Sequence, residues 1–268
     1  MINLEKTLAY GMPEPYNFIV IGCGGTGSMY IPRLASYLKT AAADYTITVA
    51  DSDDVEPKNL VRQNFTTNDV GKNKATVLAH KCNTVYGTDI VAFPKFIESI
   101  ETLESLFHFD KSGKSLGTHI IVGCVDTNAV RRMLHEYMEK TAHSCIWLDS
   151  GNEEFHGQVC CGIRSTTRCD VRTADNADGT HRVFINGDLP LVTEYFPDIL
   201  ASTEKFTSEL SCAEHAISYP QAAITNQTAA NILMQFSTAI ATKNLRASMV
   251  TFDVQTMITN TRRIVPSI

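Results

Sequence analysis

A six-residue glycine turn, Gly22-Cys23-Gly24-Gly25-Thr26-Gly27, constrains this chain more than any other feature. NFIVIG (17–22) before it has the length and apolarity of a buried strand. SMYIPRLASYLKTAAA after it carries apolar residues at helical spacing. YTITVAD (45–51) is a second strand, and it ends in an acid. Strand, glycine turn, helix and strand in that order make the first unit of a doubly wound sheet. Glycines at 22, 24, 25 and 27 permit a tight turn, with Thr26 inside it, and let backbone N–H groups approach a phosphate at the helix N-terminus. Asp51 stands where a carboxylate accepts hydrogen bonds from ribose hydroxyls. The motif alone does not separate NAD from ATP.

The β–α alternation continues. GKNKATVLAHKCNTVYG (71–87) reads as a helix opened by Asp69 or Gly71, and TDIVAFP (88–94) as a strand. IESIETLESLFHF reads as a short helix, THIIVGCVD (118–126) as a strand, NAVRRMLHEYMEKTA as a helix and SCIWLDSG (144–151) as a fifth strand. Buried strands alternating with helices argue for a mainly parallel sheet. After residue 151 the pattern changes. EFHGQVCCGIR suggests one or two antiparallel strands. Ser165–Gly187, rich in Thr, Asp, Asn and Gly, reads as a long loop. LPLVTEYFPDILAS holds a short helix, 217–243 a long one, and the last run a hairpin around Asp253–Thr256. The expected fold is α/β: a Rossmann-like, doubly wound, mainly parallel sheet with an antiparallel C-terminal extension and a long crossover loop. Residues 1–268 are expected to form one domain, with a nucleotide-binding half at 17–151 and a partner-binding half at 152–268 containing a loop at 165–215.

Composition narrows the function classes. Hydrophobic residues make up 44 % and charged residues 19 %, a globular balance rather than a disordered one. The net charge of −6 argues against a general nucleic-acid binder. No apolar run is long enough to span a bilayer, and the N-terminus lacks the basic-then-apolar order of a signal peptide, so a cytoplasmic address is expected. The eight cysteines (23, 82, 124, 145, 160, 161, 169 and 212) show no regular spacing and no CxxC pair, which suits free thiols in a reducing compartment. Cys160 and Cys161, adjacent in a strand, are expected to face opposite ways, against shared metal binding.

The segment 51–75, DSDDVEPKNLVRQNFTTNDVGKNKA, is something NAD-binding folds do not need. Asn59, Arg62 and Lys74 follow the ribose acid closely. Arg62 as a fork and Lys74 as a point charge suit a triphosphate. Asp126, at the end of strand 118–126, lies at the same sheet edge, where a carboxylate can hold Mg2+.

GCGGTG, Asp51, NLVRQNF, DVGKNKA and GCVDTNAVRR together resemble the ThiF/MoeB and ubiquitin-activating-enzyme superfamily. The pattern is ordered across 17–132 and looser beyond, where ELSCAEHAISYPQAAITNQTAANILM resembles that family's cysteine-bearing loop and last long helix. The length resembles compact bacterial ThiF-type proteins, including those of PRTRC systems and bacterial ubiquitin-like conjugation operons. The resemblance implies ATP-dependent adenylylation of the C-terminal glycine carboxylate of a small ubiquitin-like protein. It implies Asp51 at the ribose and Asp53 among the nucleotide-binding residues. Asn59, Arg62, Gln63 and Lys74 fall at the phosphates, and Asp126 at Mg2+. Cys212 matches the loop cysteine, which takes an acyl group as a thioester or serves sulfur transfer. His215 would favour its thiolate and Glu214 oppose it, and Cys169 is the second candidate. A homodimer is expected on the same ground, with a conjugating enzyme or a sulfur-carrier pathway downstream.

Two departures stand out. The zinc CxxC pairs of many members are missing. So is an N-terminal arginine, since only Lys6 is basic before the first strand. Arg131 or Arg132 would then complete the phosphate site, or they form a solvated helix face. Two other readings stay open. An NAD-dependent oxidoreductase accounts for Gly22–Gly27 and Asp51 but not for 59–74. A non-catalytic nucleotide-binding scaffold for a ubiquitin-like partner leaves Arg62, Lys74 and Asp126 without a task.

Overall fold

Six consecutive residues at 16–21, five of them apolar and every one buried, require cover on both faces, and a central parallel strand is the form that provides it. The computed structural model describes residues 7–9, 14–41, 44–113, 115–165, 170–175, 181–209 and 222–264. The first elements are β1 (Thr7–Ala9), β2 (Tyr16–Ile21), α1 (Gly25–Thr40), β3 (Tyr45–Ala50), α2 (Lys74–Tyr86), β4 (Val91–Phe93), α3 (Ile100–Glu104), β5 (Thr118–Gly123) and α4 (Asn128–Lys140). There follow β6 (Cys145–Asn152), β7 (His156–Arg164), β8 (Asp170–Asp175), β9 (His181–Asn186), α5 (Val192–Tyr195), α6 (Asp198–Ala201), α7 (Ala223–Ala241), β10 (Ala247–Asp253) and β11 (Ile258–Arg263).

The main sheet has eight strands in the order β11-β10-β7-β6-β5-β2-β3-β4. From β6 to β4 the neighbours are parallel, and from β6 to β11 they are antiparallel. Phe18 is in register with Ile47 and with Ile120. Successive side chains on β2 alternate between two cores. Phe18 and Val20 pack with Ile31, Leu34 and Leu38 of α1 and Leu233 and Phe236 of α7. Ile19 and Ile21 pack with Met133, Leu134 and Tyr137 of α4. Each such buried side chain contributes roughly 1.5–3 kcal/mol. Cys160 and Cys161 fall in opposite cores, as a period of two requires.

Several boundaries differ from expectation. α1 begins inside the glycine turn, at Gly25. α2 begins neither at Asp69 nor at Gly71, which has φ +79°, but behind Asn73, whose side chain accepts from Thr76 N. The LPLVTEYFPDILAS helix is two short helices, α5 and α6, interrupted before Pro197. The long loop at 165–187 contains an antiparallel pair, β8 and β9, and β9 is joined in parallel by β1 as a three-stranded sheet. The Thr, Asp, Asn and Gly of this segment give no period-two signal, and the one apolar run in it, Val183-Phe184-Ile185, is short. The closing hairpin turns after Asp253, whose Oδ1 accepts from Gln255 N at 2.8 Å and Thr256 N at 3.0 Å. Among the described residues no helix is long and apolar enough to cross a membrane.

Candidate functional site

β2 pairs in parallel with both β3 and β5, so the loops after these three strands open on one edge of the sheet. Backbone bonds join them. Gly22 N donates to Ala50 O at 2.9 Å, and Cys124 N donates to Ile21 O at 2.8 Å. Gly22 has φ +94°, and a Cβ there would lie 2.4 Å from Cys124 O, so only glycine fits. Gly25 and Gly27 are packed close, against Asn226 and against Gly22 O. Gly24 differs. The nearest atom to a Cβ built on it is Gln63 Nε2, at 3.9 Å. Its face is left clear for a ligand at the α1 N-terminus, the position a phosphate takes.

The second loop is tied to the first by Asp51. One carboxylate oxygen accepts from Cys23 N at 2.6 Å and the other from Asp53 N at 2.8 Å. Burial raises the Asp51 pKa, Lys74 opposes the rise, and Asp53 adds to it. Lys74, the first residue of α2, is only 6 % exposed. Its Nζ lies 2.8 Å from Asp53 Oδ2, whose own side chain faces solvent. Burial works against the Lys74 ammonium, but Asp51 and Asp53 outweigh it and hold the pKa above its ordinary value. Asn73, not anticipated from sequence as a site residue, aligns this group. Its Nδ2 donates to Asp51 O at 2.9 Å and Asp53 O at 3.2 Å. Asparagine three residues before a threonine at a helix start was the available signal.

Pro57–Val61 forms a 3-10 turn that carries the next candidates. Asn59 is buried, and its Oδ1 accepts from Glu56 N at 2.8 Å, so that oxygen holds the turn together. Its carbonyl accepts from Arg62 N at 3.2 Å and from Gln63 N at 2.9 Å. Gln63 is buried beside Gly24, with Oε1 lacking a hydrogen-bond partner among the described residues. Arg62 is half-buried at the end of the turn. Asp126 is exposed on the loop after β5. Among the described residues no three His, Cys, Asp or Glu side chains converge as a metal site. A single exposed carboxylate is still compatible with Mg2+, which takes most of its ligands from phosphates and water.

Arg131 is not part of a solvated helix face. It is buried, with Nε 2.9 Å from Asp149 Oδ1, and Nη2 donates to Val125 O at 2.8 Å and Ser150 O at 3.0 Å. It anchors the carbonyl directly before Asp126. Arg132, half-buried, donates to Ser202 O at 2.7 Å and Glu204 O at 2.5 Å, tying the segment after α6 to α4. Thr26, Asn152 and Asn226 form a polar cluster behind the glycine turn that no local pattern signals. The described cysteines are free. Burial raises their thiol pKa values, to about 11 at Cys82 and about 12 at Cys124, which makes them poor nucleophiles. Cys169, Cys212, Glu214 and His215 lie outside the described residues.

A cleft of about 470 Å³ lies further along the sheet, lined among others by Arg131, Gln158, Phe196, Ile199, Phe252 and Ile258. It does not include the glycine turn, Asp51 or Lys74.

Solved structures with this fold include PaaA, with a TM-score of 0.58 and 17 % identity over 94 % of this chain and 65 % of that one. E. coli MccB with AMPCPP and MccA gives 0.58 and 13 % over 94 % and 64 %. E. coli MccB with ATP gives 0.56 and 15 % over 94 % and 64 %. The chain thus spans a little under two thirds of the length of these proteins. A search of curated protein sequences returns no significant match. The model of the ThiF family matches residues 15–267, so the chain belongs to the ThiF family.

Proposed function

We propose that this protein is an ATP-dependent adenylyltransferase that activates the C-terminal glycine carboxylate of a small ubiquitin-like protein. The observation that carries the reading is the buried Lys74 ammonium, held by Asp53 beside Asp51 one loop from the clear face of Gly24. A buried cation is costly, and a polyphosphate is the kind of ligand that makes keeping one worthwhile. MccB, a structural neighbour, has been solved with ATP and with the peptide MccA. That supports a nucleotide together with a peptide or protein substrate.

In this reading Asp51 and Asp53 face the ribose. Lys74 and Arg62 neutralise the phosphates, and Gln63 together with the α1 N-terminus orients them over Gly24. Asn59 fixes the turn that carries Arg62 and Gln63. Asp126 would hold Mg2+, which would offset charge developing on the phosphoryl oxygens. A substrate carboxylate oxygen attacks the α-phosphorus. A new P–O bond forms, and the bond to the bridging oxygen of pyrophosphate breaks with its electron pair. No proton is transferred, because the carboxylate is already ionised at neutral pH. Catalysis therefore rests on positioning and on fixed positive charge. The 470 Å³ cleft, with apolar Phe196, Ile199 and Phe252 beside Arg131 and Gln158, suits an extended tail. Transfer to Cys212, with AMP leaving as the thiolate attacks the acyl carbon, is the second step, and a homodimer is the working assembly.

The test is exchange of labelled pyrophosphate into ATP, with and without a co-encoded small Gly-ended protein. Exchange is expected only with that protein, and Lys74→Met and Asp126→Ala are each expected to lower it by about a hundredfold or more. Unimpaired exchange in both variants would overturn the reading, as would titration showing tight NAD binding and none of ATP. A dithiothreitol-sensitive adduct at Cys212, read by mass spectrometry, tests the thioester.

A further inference from the structure

Two ion pairs hold a buried cation beside these loops, and they are built differently. Arg131 and Asp149 have side chains 8 % and 1 % exposed, so both partners are shut away from water. In the pair of Lys74 and Asp53 the side chains are 8 % and 50 % exposed. A buried ammonium left unpaired is costly. Its partner here is a carboxylate already half in water, which can leave without being stranded in the interior.

The backbone of Asp53 is fixed at both ends. Its N donates to Asp51 Oδ1 at 2.8 Å, and its O accepts from Lys74 N at 2.9 Å and from Asn73 Nδ2 at 3.2 Å. The carboxylate, by contrast, makes one hydrogen bond among the described residues, to Lys74 Nζ at 2.8 Å. Rotation of the side chain alone is enough to break the pair. Asp51 does not take its place, because its two oxygens already accept from Cys23 N and Asp53 N. An ammonium has three N–H donors, and Asp53 is the one acceptor that Lys74 meets among the described residues. That leaves donors for another anion.

We infer that the Asp53 carboxylate is a place-holder for a phosphate oxygen of the nucleotide. Before ATP binds, it keeps Lys74 paired and in position. On binding, a phosphate oxygen takes over Lys74, and the carboxylate swings through the water it already half occupies toward the ribose. A phosphate oxygen accepts from an ammonium as a charged partner, and a polyphosphate brings more negative charge than one carboxylate. Because the lysine is held in place beforehand, less binding energy goes into ordering it. The inference rests on the adenylyltransferase reading and adds to it that Asp53 competes with the phosphates it makes room for.

The experiment is calorimetric titration of the full-length protein with inorganic tripolyphosphate, which has no ribose, with adenosine, which has no phosphate, and with ATP. Asp53→Asn and Asp53→Ala are each expected to bind tripolyphosphate about three- to tenfold more tightly than wild type, with no gain for adenosine. Asp54→Asn removes the same charge from the next residue, whose exposed side chain is not paired with Lys74. Its gain is expected to stay below about twofold. Equal gains in Asp54→Asn and Asp53→Asn would reduce the effect to long-range repulsion and overturn the inference. Unchanged or weaker tripolyphosphate binding in the Asp53 variants would overturn it too, as would an equal gain for adenosine. If Asp53→Ala fails to fold, Asp53→Asn, which still offers Lys74 an accepting oxygen, decides alone. Absence of ATP binding in the wild-type protein would remove the underlying adenylyltransferase reading itself, a result distinct from ATP binding without the Asp53 effect.

Discussion

Arg131→Met tests whether the loop carrying Asp126 depends on a buried ion pair. The side chains of Arg131 and Asp149 are 8 % and 1 % exposed, with Nε and Oδ1 2.9 Å apart. The substitution keeps much of the aliphatic volume but strands the Asp149 carboxylate and frees the carbonyls of Val125 and Ser150. Breaking one partner of such a pair costs about 3–5 kcal/mol, a large share of a domain's roughly 5–15 kcal/mol. The pH dependence identifies the cause. Burial already raises the folded Asp149 pKa above its ordinary 3.8, and Arg131 restrains that rise. Without Arg131 the folded carboxyl holds its proton to still higher pH than the unfolded one. Where the folded state binds the extra proton, stability falls as pH rises. The deficit of Arg131→Met is therefore expected to be largest near neutral pH and to shrink on acidification toward the ordinary carboxylate range. Urea denaturation at a series of pH values reads it directly. Adding Asp149→Asn to Arg131→Met is expected to recover part of the loss near neutrality. A deficit below about 1 kcal/mol, or one that does not change with pH, would refute the reasoning.

Two further outcomes follow from the geometry. Gly22→Ala forces a side chain into φ +94° and against Cys124 O, so it is expected to cost more than about 2 kcal/mol, read as a lower denaturation midpoint. A variant as stable as wild type would mean that the turn is not held as described. His119 is buried and stacks on Phe107 with ring centroids 4.1 Å apart, and burial lowers its pKa from 6.5 to about 4. The unfolded state then takes up its proton first, so this site contributes stability that is lost as pH falls from 6.5 toward 4. His119→Phe, which keeps the stacking, is expected to flatten the acid limb of the stability curve; an unchanged limb would assign it to other groups.

Much of the scaffold was legible because its signals are local. The glycine turn, the acid ending β3, the buried strands of the parallel half and the Asp253 turn each rest on residues a few positions apart. Cys160 and Cys161 separate into opposite cores because neighbouring residues in a strand must. The polar residues that dominate 165–187 concealed β8, whose backbone pairs without an apolar alternation, whereas the short run Val183-Phe184-Ile185 in β9 was a strand signal outweighed by its polar surroundings.

The sequence by itself determined that a strand, a glycine-rich turn, a strand-ending acid and several cations follow one another at the edge of a doubly wound sheet. Only the tertiary structure decided which polar groups are buried and what they meet. Asp149 lies 18 residues from Arg131 and turns an apparent surface arginine into an anchor for the Asp126 loop. Asn226 lies 200 residues from Thr26, yet the two share one hydrogen-bonded cluster behind the glycine turn. Local spacing specifies which element a residue joins, whereas a buried polar group's partner depends on which distant segment the packing brings against it.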